Sequence, residues 1–397
     1  MDSYFLTLVL LCVFIGEVSS KPRTSEPPSI KNILVFGGNG LLGAPTVEGL
    51  IQAGHKCTLI NRGNWYWNSY ITIKPHVHHI KFDRMQSLSK CEALVAMLDG
   101  GQRFDLVIDF SAYHMFAVNE AVSLLKGRVG LYVYISSDSV YEVCLKNHSN
   151  PSIETDAIRS TDPDEMQEYA TKDDYGHRKL ESEEALEKQL QANGIPYISL
   201  RLPDVVGPRD NTYRWWIYQM WMRLQKYLDK PVTIPANVAK QPMSFVYSQD
   251  VADLILDLTN NSPDPDVLNQ AYNLAFRETF TLQEFLNEIK NLLNISDVEI
   301  GVDENSDSFR LFPSVSLGPV DISKAERQLK WSPTPWVEAL KDTVQFYETC
   351  LSKDEFDVPR RDIIRSMQVY FSDHPFRVLI GVKREYRVDY TASKDEL

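Results

Sequence analysis

The sequence predicts an α/β protein: a doubly wound parallel sheet with a smaller C-terminal lobe. Three observations carry this expectation. Short apolar runs alternate with helical patterns through the first half of the chain. The first run leads directly into glycines spaced G-x-x-G-x-x-G and then into a helix. Polar residues stand at the carboxyl ends of the runs, where open parallel sheets bind ligands.

Ile33 to Phe36 form the first strand, an unbroken apolar run suited to burial on both faces. Gly37, Gly40 and Gly43 follow, with Asn39, Leu41 and Leu42 between them, and Leu41, Leu42 and Val47 begin a helical apolar pattern. A dinucleotide needs this arrangement. The first glycine permits the tight turn, the second lets the backbone approach the pyrophosphate, and the third allows close helix–strand packing. The helix N-terminus adds free N–H groups and a positive dipole end.

The second strand, Lys56 to Ile60, ends at Asn61 and Arg62. They lie about twenty residues past the glycines, where a carboxylate would bond the ribose 2′-hydroxyl of NAD. No carboxylate is present, and an arginine suits a 2′-phosphate, so NADP is favoured and NAD is the alternative. Val77 to Phe82 form a third strand that brings Asp83 to the adenine end. His76, His78 and His79 sit in or beside it. Strand alternation puts His78 and His79 on opposite faces, and no carboxylate cluster accompanies them, so no metal is expected.

Phe104 to Phe110 form the fourth strand, followed by Ser111 and a helix from about Phe116 to Leu125. The fifth, Leu131 to Ile135, ends in Ser136, Ser137 and Asp138. Val143 to Lys172 is polar and reads as a loop. A long helix from Tyr175 to Gln191 then places Tyr175 and Lys179 one turn apart on one face.

Ser137, Tyr175 and Lys179 make a coherent acid/base set. A free phenol titrates near ~10 and is a poor base at neutral pH. An adjacent ammonium favours the phenolate and lowers that value. Ser137 is placed to bond the reacting oxygen, Tyr175 to pass a proton, and Lys179 to hold the nicotinamide ribose as well, while hydride moves to or from the nicotinamide.

The ends of the chain address a compartment. Residues 1–20 read as a signal peptide, with an apolar run from Tyr4 to Ile15 and small residues at Val18 and Ser20. Residues 21–29, with three prolines, read as a linker. Lys394 to Leu397 spell K-D-E-L, an address read by a retrieval receptor, so the expected location is the endoplasmic-reticulum lumen, with no stable membrane span. Asn147, Asn260 and Asn294 head glycosylation sequons, although Pro263 disfavours the second. Of five cysteines, Cys57, Cys91, Cys144 and Cys350 lie beyond the signal and allow three pairings; Cys57 reads as a plain core thiol. A net charge of −13 argues against a nucleic-acid partner. The expected division is a dinucleotide-binding domain over 30–200, continued in part by 240–275, a mainly substrate-binding lobe over 201–350, and a tail over 351–397 with one further strand at Phe376 to Val382.

The chain resembles the extended short-chain dehydrogenases/reductases of the NAD-dependent epimerase/dehydratase family. The resemblance rests on Gly37-Gly38-Asn39-Gly40-Leu41-Leu42-Gly43, Ser136-Ser137 with Val140-Tyr141, and Tyr175-Gly176-His177-Arg178-Lys179. It continues through Arg201-Leu202-Pro203, Val206-Gly207-Pro208-Arg209-Asp210, Phe245-Val246 with Asp250-Val251-Ala252, Tyr272-Asn273-Leu274, and Asp321-Ile322-Ser323-Lys324 with Trp331-Ser332-Pro333. It covers about Ile30 to Glu348. It implies a Rossmann domain, a substrate lobe and a homodimer.

Departures from the pattern narrow the chemistry. Asp138 stands where the family's dehydratases place a catalytic aspartate, but Ser139 replaces the accompanying glutamate, which counts against dehydration. Asp204 stands where nucleotide-sugar epimerases have asparagine, which counts against such a substrate. Asp138, Asp204, Arg214 and Trp215 are the substrate-contact candidates. Tyr213, Trp215, Trp216, Tyr218 and Trp221 form either an aromatic wall for a substrate or a packed helix. The expectation is an NADP- or NAD-dependent oxidoreductase or epimerase acting on a small molecule. The alternatives are a nucleotide-sugar epimerase with tightly held NAD, and a cofactor-binding protein without turnover.

Overall fold

A computed structural model describes residues 29–304, 310–371 and 375–387. The expected signal peptide, most of the expected linker and the expected retrieval sequence fall outside them. Eleven short strands are present among the described residues: β1 (Asn32–Phe36), β2 (Lys56–Asn61), β3 (His78–Lys81), β4 (Phe104–Asp109), β5 (Val129–Ser137), β6 (Tyr197–Leu202), β7 (Asp204–Val206), β8 (Thr233–Pro235), β9 (Phe245–Tyr247), β10 (Gln270–Asn273) and β11 (Gly301–Asp303). Seven of them form one parallel sheet in the order β10-β6-β5-β4-β1-β2-β3. The chain starts in the middle, winds outward through β2 and β3, and returns to lay β4 on the other side of β1. That reversal opens a crevice between the carboxyl ends of β1 and β4.

The unbroken apolar runs follow from burial on both faces. In β1, Ile33 and Val35 join one core with Leu59, Leu106 and Val133, while Leu34 and Phe36 join a second with Ile60, Val107 and Tyr132. Each such side chain contributes about 1.5–3 kcal/mol by leaving water. A third core belongs to the C-terminal lobe. There the helices Arg214–Leu224, Leu282–Leu292 and Trp336–Cys350 pack around Trp215, Trp216, Trp221, Phe285 and Trp336.

Two expected elements differ. Phe376 to Val382 is not a strand but part of a helix, Pro375–Tyr386. Its buried residues, Val378, Leu379 and Val382, follow helical spacing and meet the helix Arg214–Leu224. Val143 to Lys172 is not all loop: it carries the helix Pro163–Lys172, started by the Asp162 carboxylate accepting from the N–H groups of Asp164 and Glu165. The stretch before that helix is tied down. Ser152 pairs with the chain at Pro319 and Asp321, and the Glu154 carbonyl accepts from Arg201.

Cys57, Cys91, Cys144 and Cys350 are all buried free thiols, so none of the three pairings is formed. Burial pushes the Cys57 thiol up to about 12, consistent with an inert core residue. No described helix is long and apolar enough to cross a membrane.

Candidate active site

The crevice contains a cavity of about 410 Å³. Gly37, Asn39, Gly40, Leu41, Leu42, Gly43, Asn61, Arg62, Asp83 and Ser111 all line it, so every expected cofactor residue outside the acid/base pair converges on one space. A Cβ on Gly43 would stand 2.5 Å from the Gly38 Cα, so the helix Gly43–Gln52 comes up against the turn as only glycine allows. The Ser111 hydroxyl is buried in this cavity without a partner, a polar group waiting for one. Cradle, helix start and orphaned hydroxyl fit a dinucleotide.

Asn61 is engaged within the fold through both its carbonyl oxygen and its amide. Its carbonyl oxygen accepts from the Gly63 N–H at 2.9 Å and meets His79 Nε2 at 2.9 Å, while its amide donates to the Gly37 carbonyl at 3.2 Å. Arg62 beside it is exposed. Asp83 accepts from the Met85 N–H at 3.0 Å, fixing the turn after β3. His79 is thus a structural partner of Asn61, and no metal-binding group occurs among the described residues.

Among the cavity residues that went unread in the sequence are Asn64, Tyr66, Arg84 and Asn211. Arg84 is buried, stacks 3.8 Å over the Phe36 ring and pairs with Asp109 at 3.1 Å. Asp109, at the end of β4, also accepts from the Ser111 and Ala112 N–H groups and from the Tyr132 hydroxyl. A carboxylate directly after the apolar run Leu106 to Ile108 was the available signal.

The acid/base residues are brought together as expected. The helix Asp174–Leu190 starts with the Asp173 carboxylate accepting from the Gly176 N–H at 2.8 Å. A Cβ on Gly176 would collide with the Ser139 carbonyl, so the helix lies directly against the Ser137–Ser139 turn. Tyr175 faces that turn and the cavity rim, its ring 6.4 Å from that of Tyr113. Lys179 is buried, and its ammonium donates to the carbonyls of Ile135 at 2.8 Å and Ala112 at 3.1 Å, with its nitrogen 5.7 Å from the Tyr175 ring centre.

The electrostatics correct one expectation. The Tyr175 phenol is raised, not lowered. Desolvation, then Tyr113, Asp138 and Asp173, push it above its ordinary value, against a hydrogen bond from Ser137 that lowers it. The Tyr175 residue nonetheless keeps 44% of its surface exposed, so its ring is reachable from the cleft. Lys179 itself is pushed down to about 8 by burial, with Asp109 and Glu183 opposing. Tyr175 therefore keeps its proton in the free protein.

The substrate candidates divide. Asp138 is buried, accepts from the Ser137 hydroxyl at 3.3 Å, and has its carboxyl held well above the carboxylate range by burial, then by Asp204 and Glu142. Asp204 and Arg214 form an ion pair at 2.7 Å. Trp215 does not reach the cleft: it is 1% exposed, donates to Gln219 at 2.9 Å and packs edge-on against Phe285. Trp216, Tyr218 and Trp221 are equally buried, so this aromatic group is a helix core and not a wall. Sequence could not separate the two because both bury aromatics. Among the sequons, Asn147 and Asn294 are exposed, whereas Asn260 is half-buried and bonded to His55 at 2.9 Å.

Fold and site together define a dinucleotide-dependent enzyme of the extended short-chain dehydrogenase/reductase class. The chain belongs to the NAD-dependent epimerase/dehydratase family, whose match spans residues 33–275. It is similar to bovine (Bos taurus) dTDP-D-glucose 4,6-dehydratase, at 20% identity over 352 residues, covering 83% of this chain and 93% of that protein. Among solved structures it is similar to Bacillus anthracis dTDP-glucose 4,6-dehydratase in complex with NAD, with TM-score 0.61 and 18% identity over 83% of this chain and 99% of the other. Methanobrevibacter ruminantium UDP-N-acetylglucosamine 4-epimerase, in complex with UDP-N-acetylmuramic acid, gives TM-score 0.62 and 20% identity, over 80% and 98% of the two chains.

Proposed function

We propose that the protein is an NADP-linked reductase of small carbonyl compounds, with Tyr175 as the proton donor, working in the lumen of the endoplasmic reticulum. The observation that carries this is the placement of the Tyr175 hydroxyl beside Ser137, with the Tyr175 ring 6.4 Å from that of Tyr113, which lines the glycine-cradled cavity. The nicotinamide, when bound, supplies the hydride. Ser137 orients the substrate oxygen, and Tyr175 gives its proton to that oxygen as the carbonyl becomes an alcohol. Lys179 ties β5 to the turn after β4 and places a cation behind the phenol.

Arg62 favours the 2′-phosphate of NADP, and Asn61 stands where the NAD-binding carboxylate would be. Lys394 to Leu397 support retention through a retrieval receptor, the sequons support a lumenal chain, and family precedent supports a homodimer. A second reading, a nucleotide-sugar epimerase with resident NAD, is favoured by the likeness to enzymes of that kind. Cofactor extracted from purified protein separates the two. Exchangeable NADP with net consumption of reduced cofactor on a carbonyl substrate supports the reductase; stoichiometric NAD without net redox overturns it.

A further inference from the structure

At the carboxyl end of β4, one buried carboxylate reaches both the cofactor cavity and the acid/base pair. Asp109 is 0% exposed. One of its oxygens accepts from the Ser111 and Ala112 N–H groups at 3.0 and 2.9 Å. The other accepts from the Tyr132 hydroxyl, and one Arg84 nitrogen bridges the two oxygens at 3.1 and 3.2 Å. A neutral amide has a single oxygen and could not serve all of these donors. An apolar pair of the same volume would pack as well as the buried Asp109–Arg84 pair, because desolvation offsets so much of the attraction between buried ions. It would not hold the turn.

That turn serves the site twice. Ser111 lines the cofactor cavity with its unpartnered hydroxyl. Ala112 has its N–H on Asp109, while its carbonyl accepts from the Lys179 ammonium at 3.1 Å and from the Tyr134 hydroxyl at 3.2 Å. The Ile135 carbonyl on β5 takes a second Lys179 donor at 2.8 Å. A single residue, Ala112, thus separates the Asp109 carboxylate from the cation behind Tyr175.

We infer that Asp109 is a positioning residue of the acid/base site, seating Lys179 through the Ser111–Ala112 turn and supplying the negative charge that keeps it an ammonium. This rests on the proposed function, in which Lys179 works beside Tyr175 and holds the nicotinamide ribose. The groups that face Lys179 are Asp109 from β4, Tyr113 from the turn, Tyr134 from β5, and Glu183 and Tyr175 from its own helix. Glu183 is itself paired with Arg201 at 2.6 Å. Glu120, on the packed helix Met115–Leu125, is bonded to Ser87 and Leu88 instead. Burial brings Lys179 down to about 8, and Asp109 leads the groups that oppose it.

The test is fluorescence titration of the full chain with NADPH between about pH 6 and about pH 10, a range that brackets the Lys179 value. Wild-type affinity is expected to weaken from about pH 8 upward, as Lys179 loses its charge. In Asp109→Asn the onset is expected about one pH unit lower, a shift of the size that one opposite charge produces. The onset is read rather than the absolute affinity, because a general loosening of the fold would weaken binding without moving it. A folded Asp109→Asn protein with an unmoved onset overturns the role of Asp109. If that variant does not fold, Arg84→Gln/Asp109→Asn removes both buried ions together and carries the same test. Lys179→Met separates this from the underlying reading. Weakening that persists without Lys179, or that is absent from the wild type, overturns Lys179 as a cofactor-holding group. Weakening lost in Lys179→Met but unmoved in Asp109→Asn overturns only the inference.

Discussion

The Trp67 ring stands 5.5 Å from that of Trp216, although Trp67 belongs to the loop after β2 and Trp216 to the core of the C-terminal lobe. Tyr213, Phe346, Tyr347 and Phe356 surround Trp67 at 5.4–5.8 Å. The same short loop carries Arg62, Asn64 and Tyr66 into the cofactor cavity. Trp67→Ala is therefore expected to cost about 3–5 kcal/mol of stability and to weaken dinucleotide binding, although Trp67 does not line the cavity. Denaturant unfolding and a cofactor titration check both. Unchanged cofactor affinity in a destabilised variant would show that the loop is held some other way.

Tyr175→Phe keeps the ring and removes the proton. Turnover is expected to fall about 10²- to 10⁴-fold, with the cofactor dissociation constant little changed. Steady-state rates beside a binding titration read the two effects separately. Full activity would exclude Tyr175 as the proton donor.

Arg62→Asp exchanges a cation suited to a 2′-phosphate for a carboxylate suited to a 2′-hydroxyl. The ratio of NADP to NAD affinities is expected to shift toward NAD by about tenfold or more, the size of one charge-assisted contact. An unmoved ratio would remove Arg62 from cofactor choice.

The buried Asp138 carboxyl gives a pH dependence of definite sign. Its pKa in the folded protein lies above its value in the unfolded chain, raised by burial and then by Asp204 and Glu142. Between those two values the folded protein binds more protons than the unfolded one, so this group's contribution falls as pH rises. Asp138→Asn is neutral throughout and still accepts from Ser137. The variant is expected to melt above the wild type at pH 7, with the difference disappearing as pH falls toward about 4, the unfolded value. A variant that melts lower at pH 7, or by a constant margin at both pH values, would contradict this.

The sheet and the glycine cradle were legible in the sequence because their determinants are local. A strand buried on both faces must be apolar throughout, and a helix that presses on a turn must have glycine there, as at Gly43 and Gly176. Tyr175 and Lys179 were legible for the same reason, being one helical turn apart. The direction of the Tyr175 titration was not, because it depends on burial first and then on Tyr113, Asp138 and Asp173, all of which are set only by the fold. The aromatic helix Arg214–Leu224 was ambiguous because burial against a substrate and burial against a lobe select the same side chains. Arg84 was missed because its partner Asp109 lies at the end of β4, twenty-five residues further along the chain.

The four buried thiols have a practical consequence. None is accessible in the native molecule, and none braces it. A small alkylating reagent should leave Cys57, Cys91, Cys144 and Cys350 unmodified until their surroundings open. Cys57 lies in the central sheet and Cys350 in the lobe. Their relative labelling rates thus form a two-channel clock, reporting which half of the molecule opens first.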